Sequence, residues 1–192
     1  MGDMQKTAAK NKTMTTRTMA YTAMGAVVMV LCSWITVPGP VPFTLQTFAV
    51  FALCGLLGGK AATAAVGLYI LLGAVGLPVY AGFQGGFGVL VGMLGGYILG
   101  FLMMTLVYWL VTGLFGHKMI VSAAGMLLGL LVCYAFGTAW FMVVYTGSKG
   151  SISLAATLGK CVIPFILPDL LKMGIALAVV KRAAPALNLQ KN

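Results

Sequence analysis

Acidic side chains are almost missing from this sequence: 192 residues hold only Asp3 and Asp169, against 12 Lys and Arg. Catalysis by a carboxylate pair is thereby excluded, because Asp3 lies in a polar N-terminal stretch and no second acid accompanies Asp169. Histidine occurs once, at His117, in an expected loop far from Asp169, so no base stands ready to activate a nucleophile. The four cysteines, Cys32, Cys54, Cys133 and Cys161, show none of the short paired spacings of a zinc site and read as small apolar packing residues. The stretch CGLLGGKA approaches a phosphate-binding loop. Cys54 stands where the first glycine belongs, however, and Ala61 where a Ser or Thr would hold magnesium. No catalytic residue, metal or cofactor is therefore expected, and any ATP must be hydrolysed by a partner.

What the chain has instead is apolar surface. Its residues are 61% hydrophobic and 7% charged, with a mean hydropathy of +1.05, which points to an integral membrane protein. A span needs about 20 apolar residues, so the length suits six helices in one bundle. The fold class expected is an all-α membrane protein of six transmembrane helices with both termini cytoplasmic. Residues 1–16 read as a cytoplasmic tail, 17–182 as the membrane domain and 183–192 as a second tail. The net charge of +10 is dispersed, which argues against nucleic acid. It follows topology: Lys6, Lys10, Lys12, Arg17, Lys60, Lys118, Lys181, Arg182 and Lys191 are placed inside, Lys149 and Lys160 outside, and Lys172 within a span.

The first span is expected from about Thr18 to Ile35, ending at VPGPVPF, where prolines remove backbone donors. Two short segments follow, about Thr44 to Leu57 and Ala61 to Val75, and then the glycine-rich loop from Gly76 to Gly88. Interrupted segments of this kind line binding cavities rather than meet lipid. Gly88, Gly92, Gly96 and Gly100, four apart, predict a packing groove along the fourth helix, and Gly125 and Gly129 a weaker one along the fifth, about Met119 to Tyr145. A surface helix is expected over Ile152–Val162, and the last span over Pro164–Val180.

That last span holds Asp169 and, three residues on, Lys172. A charged side chain at the centre of a span costs about 2.5–3.5 kcal/mol on insertion scales. At i and i+3 the two can neutralise one another, yet ionisable groups in spans also mark substrate or ion paths. Polar residues gather at the outer ends of other spans: Gln46 in VPFTLQTF, Tyr80 and Gln84 in GLPVYAGFQGG, and Tyr97 in GGYILGF. Their shared depth predicts a small pocket with a few convergent polar groups. An ion-coupled carrier is the rival, disfavoured because Lys172 already supplies the charge that a bound cation would.

The motifs VPFTLQTFAVFALCGLLGGK, GLPVYAGFQGGFGVLVGMLGGYILGF and PFILPDLLK resemble the biotin-specific substrate-binding (S) components of energy-coupling factor (ECF) transporters, the BioY family. The resemblance covers about Val41 to Lys172. It implies a multi-pass protein of the bacterial cytoplasmic membrane that captures biotin outside and works with a transmembrane coupling subunit and two ATPase subunits. S components for other small vitamins are the alternative. Carried over by motif, Asp169 and Lys172 line the biotin pocket, Gln84 falls on a polar residue that is often asparagine, and Tyr97 on the Gly-Gly-Tyr tyrosine. Gln46, Tyr80, Gly85 and Gly86 join the expected substrate-binding set. A small-residue stripe on the first span, Thr22, Gly25 and Ala26, with Thr18 before it, is the expected face for the coupling subunit. The Leu-Pro-Asp here replaces the Pro-Gly-Asp common in relatives.

Overall fold

A computed structural model describes residues 16–39 and 41–187. Helix α1 (Thr16–Trp34) leads into a two-stranded hairpin, β1 (Thr36–Val37) and β2 (Phe43–Thr44), followed by α2 (Gln46–Leu57) and α3 (Gly59–Ala74). A single 3-10 turn (Ala81–Phe83) and the short α4 (Phe87–Val91) precede α5 (Gly95–Phe115), α6 (Met119–Lys149), α7 (Leu154–Cys161) and α8 (Ile163–Leu187). Among the described residues α5, α6 and Ile163–Ala183 of α8 are long and apolar enough to cross a membrane, while α2 and α3 are shorter apolar helices. The N-terminal tail expected at 1–16 lies outside the described residues but for Thr16, which already belongs to α1. At the other end α8 continues to Leu187, so the first part of the tail expected from 183 is helical.

The local chemistry explains the breaks. Pro38 and Pro42 offer no N–H to a helix, and the chain between them reverses so that Thr36 pairs with Thr44 and Val37 with Phe43. Ser153 caps α7 by accepting from the Ala156 N–H at 3.2 Å. The tightest helix contacts use missing side chains. A Cβ on Gly96 would lie 2.3 Å from Trp140 Cβ, one on Gly100 2.8 Å from Cys133 Sγ, and one on Gly129 2.7 Å from the Met104 carbonyl, so α5 and α6 meet closely. Gly55 brings α2 equally near Val180 of α8. Without a hydrophobic force between helices in lipid, such close approach is what binds them. Met29, Phe51, Tyr69, Met104, Tyr108 and Met126 fill the core, whereas Leu110, Leu114, Ile120, Val143, Leu167 and Leu171 face outward.

The glycine groove is only half as expected. Gly88 lies in α4, Gly92 adopts an extended conformation (φ −72°, ψ 177°), and α5 begins at Gly95. The four glycines therefore do not lie on one helix. A Cβ on Gly95 would sit 1.7 Å from the Leu90 carbonyl oxygen, so the chain folds back on itself there. Only Gly96 and Gly100 pack against α6.

Candidate functional site

One end of the bundle encloses a cavity of about 440 Å³. The hairpin contributes Thr36, Pro38, Val41, Pro42 and Thr44, the start of α2 Gln46 and Thr47, and the loop after α3 Tyr80, Gly82 and Gln84. Tyr97, Ile98 and Phe101 enter from α5, Cys133 and Tyr134 from α6, Cys161 from α7, and Phe165, Asp169 and Lys172 from α8. The helices α2 and α3 are short, 12 and 16 residues, and the segments before α2 and after α3 become cavity wall.

The polar floor centres on Asp169, only 2% exposed. Its Oδ1 accepts from Thr47 Oγ1 at 2.8 Å and from Lys172 Nζ at 2.9 Å, and its Oδ2 from the Tyr134 hydroxyl at 2.6 Å. Lys172 also donates to the Thr44 carbonyl at 2.7 Å and to Thr47 Oγ1 at 3.1 Å, and its ammonium stands 4.0 Å from the centre of the Phe43 ring. Helix geometry places the acid and the amine on one face, as their i, i+3 spacing requires. Pro168, just before Asp169, has no N–H to return along α8. The cluster ties α8 to β2, α2 and α6 and carries no net charge.

The other residues singled out in the sequence divide into three groups. Gln46, Tyr80, Gln84 and Tyr97 line the cavity. Gln46 is buried, with Nε2 donating to the Tyr69 hydroxyl at 2.5 Å and Oε1 accepting from Thr44 Oγ1 at 2.9 Å. Tyr80 donates to the Ile70 carbonyl at 2.8 Å, and the Tyr97 hydroxyl lies 3.2 Å from Thr138 Oγ1. Gln84 is exposed at the wall. Gly85 and Gly86 are absent from the lining and shape the loop behind it. A Cβ on Gly85 would strike the Leu77 carbonyl at 2.2 Å, and Gly86 holds φ +98°, a conformation open to glycine, while its N–H donates to the Gly73 carbonyl at 2.7 Å.

The stripe Thr22, Gly25 and Ala26 requires a correction. All three are buried within the chain's own bundle, and a Cβ on Gly25 would meet Ala65 Cβ and Leu53 Cδ2, each at 3.0 Å. This face of α1 packs on α2 and α3, and the exposed face carries Met24, Val27 and Leu31 instead. Small residues suit close packing on any neighbour. Thr47, Tyr134 and Phe43 were missed as site residues. Tyr134 gives no local signal inside the apolar run of α6, and only asking what satisfies a buried Asp169 would have pointed to it.

The family model described as "BioY family" matches residues 4–189. A biotin transporter BioY of Thermotoga maritima is 41% identical over 158 residues, covering 80% of this chain and 88% of its own. A probable biotin transporter BioY of Pyrococcus horikoshii is 36% identical over 174 residues, covering 91% and 96% respectively. Among solved structures, the S-component for biotin from an ECF-type ABC transporter superposes with a TM-score of 0.78 at 25% identity, over 88% of this chain and 91% of that one. The chain belongs to the BioY family.

Proposed function

We propose that this protein is a membrane S component that captures biotin from outside the cell and delivers it to an ATP-driven ECF transporter. In this reading six helices, α1, α2, α3, α5, α6 and α8, cross the plasma membrane with both termini inside. The basic residues Lys60, Lys118, Lys181 and Arg182 then stand at the cytoplasmic helix ends, in keeping with the positive-inside rule. A transmembrane coupling subunit and two ATPase subunits complete the transporter and supply the hydrolysis for which the sequence offers no site.

The observation that carries the reading is the convergence of Asp169, Lys172, Tyr134 and Tyr97 on one largely apolar cavity. Biotin brings an apolar fused ring, two ureido N–H donors, a carbonyl acceptor and a carboxylate tail. A buried carboxylate is a strong acceptor for a ureido N–H. The cavity floor is already electrically balanced, so the anionic tail of the ligand is best left near water at the mouth, where it needs no buried partner. The ring then lies deep. Lys172 lines the pocket as the counterion of Asp169 rather than as a donor to the ligand, since its three protons are engaged by Thr44, Thr47 and Asp169. The same ion pair disfavours an ion-coupled carrier.

Calorimetry on the purified protein tests the proposal. Biotin should bind the wild type and be preferred to other vitamins, and Asp169→Asn should lose about 1.5–3 kcal/mol of binding energy, the worth of a bond to a charged group. Near-native affinity in that variant would sink the assignment of Asp169.

A further inference from the structure

Hydrogen-bond accounting gives Tyr134 a role of its own. Asp169 Oδ1 accepts two bonds, from Thr47 and Lys172, which fills its two lone pairs. Oδ2 accepts one, from the Tyr134 hydroxyl at 2.6 Å, and keeps one. All three Lys172 protons are engaged. Of the donors around Asp169, Tyr134 alone holds a rotatable proton on a side chain that makes a single hydrogen bond among the described residues and also lines the cavity.

An acceptor and a donor side by side, their oxygens 2.6 Å apart, form a recognisable pattern. In a cyclic urea or lactam, where the amide is held cis, the N and the carbonyl O of one edge lie about 2.3 Å apart by standard bond lengths. They present one donor and one acceptor in nearly the same direction. We propose that Tyr134 is a specificity-determining residue that donates to the ligand's carbonyl. On binding, a ligand N–H takes over Asp169 Oδ2 and the Tyr134 proton turns from Asp169 to the carbonyl beside that N–H. The bond that Tyr134 gives up to Asp169 is replaced by the ligand N–H, and a second, from Tyr134 to the ligand carbonyl, is gained. The pair selects ligands whose carbonyl is flanked by an N–H, and it rests on the biotin reading only in naming the ureido ring as that edge.

The test compares biotin with 2-thiobiotin, in which sulfur, a weaker acceptor, replaces the ureido oxygen. Wild type should prefer biotin by roughly tenfold, the worth of about one hydrogen bond. Tyr134→Phe should weaken biotin by a similar factor and abolish the preference. If Tyr134 merely orients Asp169, the substitution will weaken both ligands equally and leave the preference intact, which overturns the inference. Equal affinity of the wild type for the two ligands, which needs no variant, overturns it as well. Failure of the wild type to bind biotin at all would instead overturn the functional reading, and the inference with it.

Discussion

Two pairs of consecutive helices in this molecule use their sequence in opposite ways. In α5 and α6, 21 and 31 residues long, glycines let one helix lie against the other along several turns, with Trp140, Cys133 and the Met104 backbone filling the space of absent side chains. In α2 and α3, 12 and 16 residues long, the helices end early and the segments before α2 and after α3 become cavity wall. The first pair is a scaffold held by close contact. The second reaches α8 at the site through Thr47 of α2, which donates to Asp169 and accepts from Lys172. Stability and binding are thus carried by different chemistry in the two regions, and substitutions can separate them.

The largest effect should come from the polar anchor. Asp169→Ala leaves the Lys172 ammonium, 6% exposed, without its counterion. It should cost about 3–5 kcal/mol of stability, measured by unfolding in detergent, as well as biotin binding. The double change Asp169→Leu with Lys172→Met should recover most of that stability and none of the binding. Unrecovered stability would show that the anchor does more than neutralise itself.

A smaller effect is expected in the scaffold. Gly129→Val forces side-chain atoms toward the Met104 carbonyl, 2.7 Å from the first of them. Overpacking of this kind costs about 1–3 kcal/mol, and the melting temperature should fall while any protein still folded binds biotin normally. Gly113→Ala gives the internal control, because a Cβ there meets nothing within 4 Å. It should be neutral or stabilising by about 0.4–1 kcal/mol. If the two substitutions destabilised equally, glycine content rather than contact would be holding α5 in place.

The break at VPGPVPF was legible because proline acts on its own backbone, whereas α6 runs on to Lys149, four residues past the Tyr145 at which its span was expected to end. The Asp169–Lys172 pair was legible because its geometry is internal to one helix. The break at Gly92 was not, since four-residue glycine spacing looks the same whether or not the helix continues through it. The stripe Thr22, Gly25 and Ala26 fits any close neighbour, and only the packed structure shows that α2 and α3 occupy it. Tyr134 and Thr47 lie 35 and 122 residues from the acid they serve, so no local pattern could join them to it.

The placement of acid and amine on a single helix has a consequence for how the protein is made. Tyr134, Thr47 and Thr44 belong to segments that leave the ribosome before α8, but the partner that cancels the charge of Asp169 travels with it. Exchanging Leu171 and Lys172 keeps the composition while moving the amine to i+2, off the shared face. Insertion of the isolated segment 163–183, followed by glycosylation mapping, should then fall, and unchanged insertion would argue against this view. A segment that is its own counterion can enter the bilayer without waiting for the bundle, and the bundle need only close around a charge that has already been settled.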